Sequence, residues 1–80
     1  MRRYGQDGKL TAAVCNKCGK TLRVENGYLR EFCFEGKAVF GYFSRKDGTE
    51  QNFDLCEDCF DELTAQFLLP AEESEATELL

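Results

Sequence analysis

Two short cysteine motifs constrain this 80-residue chain more than anything else in it: Cys15-Asn16-Lys17-Cys18 and Cys56-Glu57-Asp58-Cys59. A domain this small is hard to hold together by burial alone, and chains below roughly 80 residues commonly add a disulfide framework, a metal or a partner subunit. The five cysteines are the first candidates for that staple. Five is an odd number, so any disulfide scheme strands one of them. No apolar run of about 7–15 residues follows Arg2-Arg3, which argues against a secretory signal, and nothing approaches a membrane span. The expected compartment is the reducing cytoplasm, where paired CxxC motifs read as metal or redox chemistry before disulfides.

Two thiolate pairs match a tetrahedral zinc site with Zn–S near ~2.3 Å. The expected ligands are Cys15, Cys18, Cys56 and Cys59, holding one zinc ion. Iron is the next ion, because a four-thiolate site also suits a rubredoxin-like centre or a cluster. A thioredoxin-like dithiol is weaker, since that fold needs βαβ connections and only one convincing helix is legible here. The 37 residues between Cys18 and Cys56 exceed the usual spacing of about 15–20, and two hairpins would take up the excess.

In CNKCG, Gly19 supplies the positive φ that lets backbone N–H groups aim at a sulfur. TAAVC enters this knuckle and KTLRVE leaves it, giving two short strands around a tight turn. Asn26-Gly27 is a strong two-residue hairpin signal joining KTLRVE to YLREFCFE. AVFGYFS, RKDG and TEQNFDL suggest a second hairpin with Asp47-Gly48 at its tip, and Gly41 reads as a bulge or a close backbone approach. From Leu55 the period becomes helical, with Cys56, Cys59, Phe60, Leu63 and Phe67 on one side, ending before Pro70.

Five carboxylates crowd the second motif: Asp54, Glu57, Asp58, Asp61 and Glu62. Asp54 and Glu57 have the spacing of a capping box, which places both cysteines in the first turns of the helix. Anions and thiolates both favour that end, where unpaired N–H groups and the macrodipole are positive.

A knuckle with CxxCG, a hairpin, then CxxC at a helix start resembles a treble-clef zinc finger over roughly residues 11–69. That resemblance implies that all four cysteines bind one structural zinc. GYFSRKDG followed by FDLCEDCFDEL is also similar to small bacterial four-cysteine zinc-binding proteins, a likeness that implies no particular activity. The expected fold class is therefore small α+β and metal-stapled: a zinc knuckle, two β-hairpins and one C-terminal helix. Residues 1–10 read as a flexible arm, 11–69 as the zinc-binding domain, and 70–80 as a mobile acidic tail that could carry a short helical peptide ending in Leu79-Leu80.

Net charge is −5, but all ten Lys and Arg lie in residues 1–46, which carry +6, while residues 47–80 carry −11. Four thiolates and one divalent ion take the folded protein to about −7. That total disfavours a phosphate backbone. The sequence has no histidine, no Gly-rich phosphate loop and no base near its serines, so an enzyme is not expected. The expected role is a protein-interaction or adaptor module. Its alternative is a nucleic-acid-binding finger using Arg2, Arg3, Lys17, Lys20, Arg45 and Lys46. Phe32, Phe34, Phe40, Tyr42 and Phe43 could stack on bases, yet in a chain without Trp they are expected mostly as core. Cys33 is left open between a buried core residue, an exposed thiol or dimer contact, and a replacement ligand, since a one-residue slip in register decides its face.

Overall fold

The computed structural model describes residues 1–76. Their order is β1 (Arg2–Tyr4), β2 (Leu10–Val14), β3 (Thr21–Leu22), β4 (Val24–Glu25), β5 (Tyr28–Leu29), β6 (Cys33–Val39), β7 (Glu50–Cys56) and α1 (Glu57–Ala65). This is a small α+β arrangement with a four-cysteine cluster at its centre. The strands form three antiparallel groups: β1-β2-β3, β4-β5 and β6-β7.

Turn chemistry accounts for the first two groups. β2 and β3 flank the knuckle with Ala13 opposite Leu22 and Val14 opposite Thr21. Asn26 (φ 53°) and Gly27 (φ 82°) both take positive φ, the signature of a type I′ turn, and set Val24 opposite Leu29 as the dipeptide predicts. Residues 1–10, expected as a loose arm, are instead tied down: β1 pairs with β2, placing Arg2 opposite Ala13. A short run such as RRY carries no periodicity of its own, and the sheet edge offered by β2 supplies its hydrogen bonds.

The second hairpin forms, but its first strand is CFEGKAV rather than AVFGYFS. Gly41 therefore lies outside the ladder, with open space around its Cα. The close approach falls at Gly36, which faces Phe53 across the ribbon. A Cβ there would lie within 2.7 Å of both Cε atoms of the Phe53 ring and nearer still to Cζ. The ring covers the glycine and fills the space a side chain would occupy.

The core is small and largely made of the ligand set. Ala13, Cys15, Leu22, Leu55, Cys56 and Cys59 are buried together, with Val24, Leu29, Cys33, Phe34, Phe53 and Phe60 packed on their rim. Helix α1 docks on the β6-β7 ribbon through Phe60, whose ring lies 4.9 Å from Phe34 and 5.6 Å from Phe32. Only part of the aromatic set is core, against expectation. Phe34 packs inward and Phe32 is half-buried against Phe60, whereas Tyr42 is 81% exposed and Phe43 99%. The last two sit in the β6-β7 connection, beyond the reach of a core this small. Residues 70–76 have neither helix nor strand, and the proposed helical end at Leu79-Leu80 lies outside the described residues.

Candidate metal centre

Each sulfur pair is delivered by a different local device. In the knuckle, the Gly19 N–H donates to the Cys15 carbonyl at 2.9 Å, and Gly19 takes φ +80°. That folds the turn back so that backbone N–H groups of Cys18 and Lys17 reach the Cys15 sulfur. The second pair comes from the junction of β7 and α1. Cys56 ends the strand and is the helix N-cap (φ −72°, ψ 168°), and Cys59 follows in the first turn.

The four sulfurs of Cys15, Cys18, Cys56 and Cys59 all lie within 4.8 Å of one another. Cys18 and Cys56 are 3.7 Å apart. A regular tetrahedron of ~2.3 Å metal–sulfur bonds has edges of about 3.8 Å, so a small inward movement closes the set on one ion. None of the five cysteines is disulfide-bonded. Cys15, Cys56 and Cys59 are buried, while Cys18 reaches the surface.

The electrostatics of the cluster ask for a cation. Burial alone would raise the Cys15 pKa, but N–H donation from Cys18, Cys56 and Lys17 overcomes it and brings the thiol down to about 6. Cys59 goes the other way, up to about 12, through burial and then through the neighbouring sulfurs of Cys56, Cys18 and Cys15. Four soft donors crowded this closely cannot all ionise unless a positive charge sits among them, and a thiolate-loving divalent ion is the natural occupant.

The expected capping box is not formed. No side chain caps α1, and Asp54, buried to 5% exposure, points away from the helix start. Its carboxylate accepts from the Met1 ammonium at 2.7 Å and from Arg2 Nε at 3.1 Å, and the Cys33 thiol lies 3.4 Å away. Glu57, Asp58, Asp61 and Glu62 do lie exposed on α1. An extended Asp54 inside β7 cannot place its oxygens over the helix amides, and the cations at the start of the separate β1-β2-β3 sheet, Met1 and Arg2, take it instead. Burial opposes ionisation, yet these hydrogen bonds hold the Asp54 pKa below the usual carboxylate range.

Asn16 is the residue that sequence reasoning missed. Its N–H donates to the Asp54 carbonyl at 2.8 Å, and its Oδ1 accepts the Asp54 N–H at 2.9 Å. This two-way clamp sets the knuckle against β7, between Cys15 on one side and the strand leading to Cys56 on the other. It is what registers two sulfur pairs that are distant in the chain. The only sequence signal is a side-chain amide inside the knuckle, and its partner lies 38 positions away.

Cys33 lies opposite Cys56 in the ladder but stands outside the sulfur cluster. It is half-buried beside Asp54 and Arg2, and burial followed by the Asp54 contact raises its pKa. Of the six basic residues considered for nucleic acid, three are already held by carboxylates. Arg2 is held by Asp54, Lys17 by Glu62 at 2.9 Å and Lys20 by Glu31 at 3.1 Å. Lys17 also feels the charges of Cys59 and Cys15, and Lys20 that of Cys56, so both offset the anionic centre. Among the described residues, Arg3, Arg45 and Lys46 enter no ion pair, and Lys46 lies 4.2 Å above the Phe40 ring. No protein-family model matches the chain, and neither does any curated protein or solved structure.

Proposed function

We propose that this chain is a non-catalytic, zinc-stapled protein-interaction module of treble-clef type. The observation that carries the reading is the four-sulfur set, closed within 4.8 Å and mostly buried. Four protein ligands leave a zinc ion no position for water or substrate, so its work is folding rather than chemistry. The treble-clef reading is supported by the knuckle after β2 and by the β6-β7 hairpin running directly into the ligand-bearing start of α1. Free, ionisable thiols suit a reducing compartment such as the cytoplasm. No helix of the described residues is long and apolar enough to cross a membrane.

The interaction role is supported by large apolar side chains left outside the core, Tyr42 and Phe43 at one place and Leu68 and Leu69 at another. Monomeric proteins seldom expose such groups in clusters without a use. The nucleic-acid reading is weakened by the carboxylates that already hold Arg2, Lys17 and Lys20.

Elemental analysis tests the metal: one zinc per chain is expected, and one iron in its place would refute zinc. Partner capture tests the role. The zinc-loaded protein should retain a partner that a Tyr42→Ser/Phe43→Ser variant and a variant lacking residues 70–80 lose. Strongly salt-dependent retention of RNA or DNA by the parent chain would favour the competing reading.

A further inference from the structure

Two of the exposed apolar clusters among the described residues have opposite electrical character. The first is the β6-β7 connection, where Tyr42 and Phe43 lie with ring centroids 5.3 Å apart and Val39 is exposed at the strand end. Arg45 and Lys46 follow directly; the acids nearest them are Asp47, next in the chain, and Glu50, opposite Val39 in the ladder and already held by Lys37 at 3.4 Å. The second follows α1, where Leu68 is 95% exposed and Leu69 79%, with Leu63 and Phe67 partly exposed beside them. It is flanked by Asp61, Glu62, Glu72, Glu73 and Glu75, and residues 47–80 contain no base at all. Among the described residues neither Arg45 and Lys46 nor Asp61, Glu72, Glu73 and Glu75 are engaged in ion pairs within the chain. Each cluster is thus the apolar and electrostatic complement of the other.

We propose that these two clusters together form an interface with a second copy of the same chain. In a two-fold dimer the Tyr42–Phe43 tip of each copy seats against the Leu68–Leu69 segment of the other. Two-fold symmetry makes both contacts identical, because residue i meets j and j meets i, and it closes the assembly at two copies. It also resolves the charge segregation: like halves are kept apart while the basic tip of each copy meets the acidic end of its mate. Burying aromatic and leucine side chains supplies the apolar surface that a core this small lacks. The proposal rests on the interaction-module reading and names the partner.

Sedimentation velocity and light scattering on the zinc-loaded protein, from about 1 μM to about 1 mM, read the association directly, a range suited to a contact of modest area. The expected result is a monomer–dimer equilibrium that weakens as salt is raised. Phe43→Ser should weaken it by about tenfold or more, as for a buried aromatic anchor. A charge exchange then separates this pairing from general stickiness. Arg45→Glu/Lys46→Glu gives a chain acidic at both clusters, and Glu72→Lys/Glu73→Lys/Glu75→Lys, which sets three lysines against Asp61 and Glu62, gives one basic at both. Each alone should be monomeric, and an equimolar mixture of the two should dimerise. All of these positions are exposed, and zinc content with near-UV circular dichroism checks that the variants fold.

A chain that stays monomeric throughout overturns the proposal, as does a mixture that fails to associate or a mass that grows beyond two copies. If the chain is monomeric but the capture experiment still loses a partner with the tip variant, the interaction reading stands and only the self-pairing falls.

Discussion

Replacing Gly36 with alanine tests how tightly β6 and β7 are held in the register that delivers Cys56. The new Cβ would sit within 2.7 Å of both Cε atoms of Phe53, where ordinary carbon contacts lie at about 3.5–4.0 Å. The ring must therefore back away by roughly 1 Å, and it has little room on the inner side. Phe53 leans on Phe34 at 6.0 Å between centroids, and Phe34 leans on Phe60 of α1 at 4.9 Å. Either the ring tilts into solvent or the aromatic row shifts against the helix. Overpacking of this kind costs about 1–3 kcal/mol. The alanine returns about 0.4–1 kcal/mol by restricting the unfolded chain, because Gly36 does not use positive φ. A net loss of up to about 2.6 kcal/mol, centred on ~1.3, is expected in urea unfolding of the zinc-loaded protein, seen as a lower midpoint at unchanged slope. In a Phe53→Ala background the clash is gone, so the same Gly36→Ala change should become neutral or stabilising. The double-mutant cycle should then show about 1 kcal/mol of coupling or more. An equal cost in both backgrounds would refute the idea that the ring occupies the glycine's missing side chain.

Three further outcomes follow from the site. Cobalt(II) substitution should show a tetrahedral tetrathiolate spectrum that survives Cys33→Ser and is lost or altered by serine at Cys15, Cys18, Cys56 or Cys59; an effect of Cys33→Ser equal to the others would place it in the ligand set. Asn16→Ala should lower zinc affinity by about 10–100-fold in chelator competition, the range for residues that hold ligands in place, and unchanged affinity would show that the clamp to Asp54 is not what sets the two halves together. Asp54→Asn should cost about 1.5–3 kcal/mol near neutral pH, the worth of hydrogen bonds to a charged group, measured as a difference from the parent. Because the folded Asp54 pKa is depressed, its contribution is present above the unfolded value near ~3.9 and is lost as pH falls through the lower folded value. The difference between the two proteins should be flat above about pH 5 and shrink below about pH 4, and a difference that grows on acidification would contradict the assignment.

The parts of this protein that its sequence determined are those written within a few consecutive residues. Asn26-Gly27 demands positive φ twice, and only a tight hairpin accepts that. CNKCG bends on Gly19, and the helical period after Leu55 announces α1 and the placement of Cys59. Those signals were enough to name the four sulfurs and the small α+β class, because turn geometry and ligand spacing are local physics. Tertiary structure decided whatever depended on a partner far along the chain. Asp54 has the spacing of a helix cap, yet it turns to Met1 and Arg2 because β7 holds it extended beside β1. Asn16 looks like an ordinary knuckle residue until the strand 38 positions away lies against it. Cys33 lies outside the sulfur cluster although β6-β7 pairing sets it opposite Cys56, because its thiol meets Asp54 and Arg2 instead, and Tyr42 and Phe43 are exposed because that same pairing ends before them. Each of these outcomes is a choice between equally plausible neighbours, and only the packed chain says which neighbour is near enough to win.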